Sequence, residues 1–143
     1  MPETALFPEA VVAALRRALH AAAPREFVGL LGGSSDGAKW TVDAFLPLPN
    51  AARGVDAFAV APAAFAAAEA ELRAQGRRWL GFAHGHPTAP AVPSQRDVAA
   101  FWPGCLQAIV GPCDPGAALR CYWRDGTAVR EVAVRAARGE AVA

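Results

Sequence analysis

The sequence predicts an α/β fold, a single-domain mixed β-sheet flanked by helices. Two observations carry this. Short apolar runs rich in Val, Leu and Phe alternate with segments of helical periodicity, and the resulting order is helix, hairpin, helix, strand, helix, strand, hairpin. At 143 residues the chain is expected to form one domain, 1–143, of a size that buries roughly 68–70% of its unfolded surface.

Each element has its own local cause. Residues 9–23 place Val11, Val12, Leu15 and Leu19 on one helical face, with Arg16 and Arg17 opposite, and Pro24 ends the segment. Residues 27–31 predict a buried strand, 32–37 a Gly- and Ser-rich turn, and 39–48 a returning strand. A loop over 50–56 leads to an Ala-rich helix over 62–75, which carries Glu69 and Glu71 and is stopped by Gly76. Residues 78–84 predict a short apolar strand. Pro87, Pro90 and Pro93 then exclude regular structure and predict a stiff loop. Residues 94–102 predict a third helix, stopped by Pro103. Three more strands are predicted over 106–110, 118–123 and 128–134, with Asp125-Gly126 as the turn between the last two. The tail after Arg135 is expected to be frayed. No internal repeat and no linker interrupts the chain.

Composition narrows the classes. The chain is 54% hydrophobic and 19% charged, which favours a packed core over disorder. A net charge of +1 argues against general nucleic-acid binding. Arginines between Arg120 and Arg138 are accounted for by exposed strand faces and a solvated tail, with docking of an acidic partner as the lesser alternative. No run of about 18 apolar residues exists, so neither a transmembrane helix nor a membrane partner is expected. The start, Met1-Pro2-Glu3-Thr4, lacks the basic and apolar regions of a signal peptide, and the expected location is cytoplasmic. Cys105, Cys113 and Cys121 are odd in number and form no C-x-x-C. They are expected to be free thiols packed as small hydrophobes, not a metal or redox site.

The chemistry concentrates between His84 and Asp97. Two of the three histidines, His84 and His86, lie two residues apart at the end of a predicted strand. In an extended segment such residues point the same way, while Gly85 faces away and Pro87 fixes the backbone behind the second ring. Asp97 follows in the first turn of the next helix. Two imidazoles and a carboxylate are a common ligand set for a catalytic zinc, which keeps a fourth position open for water. Asp97 also fits helix capping, with Ser94 as N-cap, and on the segment alone the two readings stand level.

The pattern His-x-His-Pro-x(5)-Pro-Ser-x-x-Asp resembles the JAMM (MPN+) motif of the JAB1/MPN/Mov34 metalloprotease family, matching at His84, His86, Pro87, Pro93, Ser94 and Asp97. The run from Glu26 to Gly33 resembles the family's upstream segment E-x-x-G-x-L-x-G, and the Pro49-Asn50 pair, the middle helix and the terminal strands fall in family order. The resemblance covers essentially the whole chain. It implies an MPN/JAMM-type α/β fold with cytidine-deaminase-like layering. It implies one zinc ion per chain on His84, His86 and Asp97, with water as fourth ligand. Glu26 is then general base and acid, and Ser94 donates to the developing oxyanion, with helix capping as its alternative role. Stand-alone bacterial relatives imply cleavage after the C-terminal Gly-Gly of a small ubiquitin-like or sulfur-carrier (ThiS/MoaD-type) protein.

One departure is Gly85, where relatives often carry Ser or Thr; altered packing is expected there, without loss of activity. Three other readings compete. A metal-free MPN scaffold binding a ubiquitin-like partner conflicts with the complete ligand set. A zinc nucleoside deaminase requires H-x-E and P-C-x-x-C, which are absent. A cysteine hydrolase has only His20 outside the motif as its base. The sequence leaves room for a homodimer.

Overall fold

The computed structural model describes residues 1–112 and 117–136. Its elements are β1 (Thr4–Phe7), α1 (Glu9–Ala22), β2 (Val28–Asp36), β3 (Lys39–Leu48), α2 (Pro62–Ala74), β4 (Arg78–Gly85), α3 (Gln95–Ala100), β5 (Leu106–Pro112), β6 (Ala117–Asp125) and β7 (Ala128–Ala136). The sheet is mixed, as its helix and hairpin order predicts, with strand order β1-β3-β2-β4-β5-β6-β7. Cys113 and the tail beyond Ala136, for which a free thiol and fraying were expected, lie outside the described residues.

The sheet differs from expectation by closing into a barrel. Closure is the work of β1, which the sequence reading does not contain. Three of its residues pair in parallel with β3 on one side and all four with β7 on the other, Thr4 lying opposite both Lys39 and Ala133. Ala5 and Phe7 are fully buried. A second difference is the extent of β2, which runs through the Gly-Gly-Ser-Ser segment read as a turn. A Cβ on Gly32 would lie 2.4 Å from a Leu72 methyl, and one on Gly33 would lie 1.9 Å from the Thr41 carbonyl oxygen. These glycines mark close approach of neighbouring atoms inside a strand. The reversal falls at Gly37, whose φ of 56° is the left-handed conformation glycine adopts at no steric cost.

The main core draws on all seven strands and on α1, with Leu15, Leu31, Leu80, Leu106 and Val132 among its members. Fully burying each such aliphatic side chain contributes roughly 1.5–3 kcal/mol. On the opposite face of the sheet, α2 packs Ala68 and Leu72 against Leu30 and Phe82. A bulge decides which β4 side chains face which way. Leu31 pairs with Gly81 and Gly32 with Trp79, so Leu80 is the extra residue. Leu80 therefore enters the main core while Trp79 and Phe82 both join the α2 side. Beyond it, simple alternation puts Ala83 in the core and His84 on the outer face with Phe82. No helix among the described residues is long and apolar enough to cross a membrane.

Candidate metal centre

Four side chains meet at one end of the barrel. His84 ends the regular part of β4, opposite Val28 of β2 and Ile109 of β5. Gly85 turns inward, where a Cβ would stand 2.5 Å from the Phe27 ring and 2.9 Å from Leu19. His86 then returns to the outer face, its backbone N–H donating to the Val110 carbonyl. Glu26 precedes β2 and lies beside His86. Asp97 arrives from α3. Ligand atoms of Glu26, His84, His86 and Asp97 all lie within 4.8 Å of one another, and all four residues are buried.

The proline loop holds its shape through three contacts. His86 Nδ1 donates to the Pro90 carbonyl at 2.8 Å. The Tyr122 hydroxyl donates to the Ala91 carbonyl at 2.7 Å. The loop also lies against Gly111 of β5, where a Cβ would be 2.7 Å from the Ala91 nitrogen. Helix α3 is short but tied at both ends. Ser94 Oγ accepts from the Asp97 N–H at 3.0 Å, and the Ser94 N–H donates to Asp97 Oδ2 at 3.0 Å, a complete capping box. Arg124 donates to the carbonyls of Val98 and Phe101 at the other end. The two readings of Asp97 therefore meet in one atom: Oδ2 caps the helix and also faces both histidines.

The donor geometry fits a tetrahedral cation. His84 Nε2 and His86 Nε2 are 3.3 Å apart, and each faces Asp97 Oδ2, at 3.3 and 3.0 Å. A metal with bonds of about 2.0–2.1 Å requires ligand separations of roughly 3.3–3.4 Å. The tautomer points the same way. With His86 Nδ1 donating to Pro90, Nε2 presents a lone pair to a carboxylate oxygen, and two acceptors at 3.0 Å need a shared cation or an added proton between them.

The electrostatics follow from burial and these contacts. Burial pushes the His84 imidazole down. Burial also works to lower His86, but its bonds to Asp97 and Pro90 outweigh it and the net shift is upward. Asp97 is desolvated, yet hydrogen bonds from both histidines hold it well below the usual carboxylate range. Glu26 rises to about 7, chiefly through desolvation, with the Asp97 and Asp56 carboxylates adding and the His86 and Arg96 charges opposing. Its Oε1 is buried without a hydrogen-bond partner among the described residues. Glu26, His86 and Ser94 open onto a cleft of about 470 Å³ walled by Asp56, Thr88 and Arg96.

Two neighbours carry no role in the sequence reading. Asn50 fills its whole hydrogen-bonding capacity. Its Nδ2 donates to the carbonyls of Glu26 and Ala57, both at 2.9 Å, and its Oδ1 accepts from the N–H groups of Ala52 and Ala59. The bond to Ala52, two residues on, is an Asx turn, a local signal available from an Asn after a strand-ending proline. Phe58, in the loop so held, stacks on His84 with ring centroids 4.3 Å apart. Among the described residues the thiols lie apart from the clustered ligands. Cys105 and Cys121 are free and buried as small hydrophobes, and burial pushes the Cys105 thiol up to about 12. His20 is exposed on α1, while the described cysteines, Cys105 and Cys121, are buried.

Residues 8–125 match the model of the family described as prokaryotic homologs of the JAB domain. A probable TtuB-protein conjugate cleaving protease of Thermus thermophilus is 34% identical over 92 residues, which span 64% of this chain and 59% of that protein's length. A desampylase of Haloferax volcanii is 33% identical over 113 residues, 78% of each chain. A Desulfitobacterium hafniense protein solved in solution superposes with a TM-score of 0.85 at 27% identity, covering 92% of both chains. The family match runs from before α1 to the end of β6 and takes in all four clustered residues. This chain belongs to the prokaryotic homologs of the JAB domain and is a hydrolase of the JAMM metallopeptidase type.

Proposed function

We propose that this chain is a zinc-dependent peptidase or isopeptidase that cuts the amide after the C-terminal Gly-Gly of a small ubiquitin-like protein of the ThiS/MoaD sulfur-carrier kind. The observation that carries the reading is the Glu26 carboxylate, buried and with one oxygen unpartnered among the described residues, beside a triangle of two imidazoles and a carboxylate. The names of the Thermus and Haloferax relatives support a conjugate of a ubiquitin-like protein as the substrate class.

His84, His86 and Asp97 would hold one zinc. Bound there, zinc supplies a Lewis acid and brings the pKa of water toward neutrality. Glu26 takes the proton from the attacking water and delivers it to the leaving nitrogen; a carboxyl near 7 can both accept and release at neutral pH. Ser94 Oγ already accepts from the Asp97 N–H, so its own hydrogen is free to donate to the carbonyl oxygen as charge develops there. Water adds across the amide: the glycine carbonyl gains the hydroxyl, the nitrogen gains the proton, and the C–N bond breaks. The Gly-Gly tail lets substrate backbone lie deep in a narrow cleft.

The test is a ThiS/MoaD-type carrier fused beyond its terminal Gly-Gly, compared with the isolated tail peptide. Cleavage of the intact carrier fusion is expected, with loss on chelation and recovery on adding zinc. Activity that survives chelation, or equal efficiency on the free peptide, overturns the chemistry or the recognition respectively.

A further inference from the structure

The cleft is asymmetric in charge. Among its described lining residues the one guanidinium is Arg96 of α3, and across from it stands Asp56 of the loop held by Asn50. Arg96 Nη1 and Asp56 Oδ1 are 3.8 Å apart, with side chains 67% and 82% exposed. A surface pair of this length is weak and readily exchanged for a better partner. Although burial dominates the upward shift of Glu26, the Arg96 charge is near enough to oppose it and Asp56 near enough to add to it.

Under the proposed reaction, which this inference rests on, Glu26 hands its proton to the leaving nitrogen and so marks where the leaving group emerges. Two kinds of leaving group are chemically distinct there. In a lysine isopeptide the nitrogen sits at the end of an alkyl chain, with no carboxylate beside it. In a carrier extended by a single residue, a free α-carboxylate stands one carbon from the scissile nitrogen. A planar guanidinium binds such a carboxylate through two parallel hydrogen bonds.

We infer that Arg96 is a specificity-determining residue that exchanges Asp56 for the α-carboxylate of the leaving group. The preferred substrate is then a carrier bearing one amino acid, with its carboxylate free, after Gly-Gly. Asp56 is the weaker, exposed carboxylate that the leaving group's carboxylate displaces.

The experiment uses the zinc-loaded enzyme and one carrier in three forms: extended by a single alanine as the free acid, by the same alanine as its amide, and joined to a lysine side chain. The wild-type enzyme is expected to favour the acid over the amide by roughly tenfold or more in kcat/KM, the scale of a charge-assisted hydrogen bond, with the difference in KM. Arg96→Gln brings that ratio close to one. Arg96→Lys keeps part of it, since a point charge replaces a fork. Asp56→Asn raises it by freeing the guanidinium. Equal kcat/KM for acid and amide in the wild type, a preference for the lysine conjugate, or an Arg96→Gln enzyme with the wild-type ratio overturns the inference while leaving the proposed hydrolysis intact. Failure of the wild type to cut any of the three forms overturns the proposed function and this inference with it.

Discussion

Asn50 donates a side-chain amide proton to the backbone carbonyl of Glu26 at 2.9 Å, tying the carboxylate's own backbone to the loop that lays Phe58 on His84. With all four bonding positions of the amide in use, its loss would leave two carbonyls and two N–H groups without their partner. Asn50→Ala is expected to cost about 1–3 kcal/mol of stability and to lower kcat roughly tenfold, with zinc content unchanged. Chemical denaturation, metal analysis and steady-state kinetics check this. A stability loss with kcat intact would confine Asn50 to the architecture of the loop.

Removing one donor from the triangle tests the metal. Wild-type protein is expected to hold about one zinc per chain and His86→Ala to lose most of it, because three protein ligands are the usual complement of a catalytic site. Elemental analysis after exhaustive dialysis gives the answer, and equal zinc in the two proteins removes His86 from the ligand set.

Glu26→Gln is expected to keep zinc and fold while losing on the order of 10²–10⁴ in turnover, since an amide moves no proton. The same variant carries a stability signature in the zinc-free protein. The Glu26 carboxyl sits at about 7 in the fold, above its ordinary value of 4.5. Its raised pKa means that the stability of the protonated form is fully present below the unfolded value and is lost as pH rises toward 7. Zinc-free Glu26→Gln should therefore match wild type near pH 4 and exceed it by roughly 2 kcal/mol near pH 8. Urea midpoints across that range measure it; a variant weaker than wild type at pH 8 contradicts the burial argument.

Ser94 has two separable jobs. Loss of the cap costs about 1 kcal/mol of stability. Loss of an oxyanion donor costs roughly 10²–10³ in turnover. Ser94→Ala is expected to show both, with zinc retained. If only the melting temperature moves, the hydroxyl caps α3 and does nothing for the reaction.

Gly85 occupies a position with no room for a side chain, since a Cβ there would stand 2.5 Å from the Phe27 ring. Gly85→Ala is expected to destabilise the protein by about 1–3 kcal/mol, as overpacked cores do. Phe27→Leu in the same chain should return part of that by making space. A stable Gly85→Ala single variant would show that Phe27 and Leu19 move aside freely.

The parts of this architecture set by local chemistry are the parts legible in the chain. Helix α1 announces itself through Val11, Val12, Leu15 and Leu19, all buried against the core. The His84–His86 spacing carries its meaning within a single strand, and the Ser94–Asp97 capping box within a single turn. Glu26 reaches the centre from a separate segment, and only the family pattern lifts it above the other carboxylates. Asn50 and Phe58 act through contacts that the chain order conceals. β1 escapes for a related reason: its two buried positions between Pro2 and Pro8, Ala5 and Phe7, are too short a period to recognise, and its partners lie far along the chain. Gly32 and Gly33 mislead because glycine marks both turns and close contacts, and sequence does not tell the two apart.

The seam between β1 and β7 gives the ring a history in synthesis. Thr4 is made long before Ala133, and their pairing waits until nearly all the described residues between them have been added. Until then the growing sheet ends in a bare strand on either side, with unpaired backbone groups that invite neighbours. Every residue from Glu26 to Asp97 has already been translated by that moment. The pocket's chemistry is thus written early in the nascent chain, and the covalently distant last strand is what turns an open, adhesive sheet into a closed one. A ribosome that stalls before Ala133 releases a chain carrying the full set of candidate ligands on a sheet with two exposed edges.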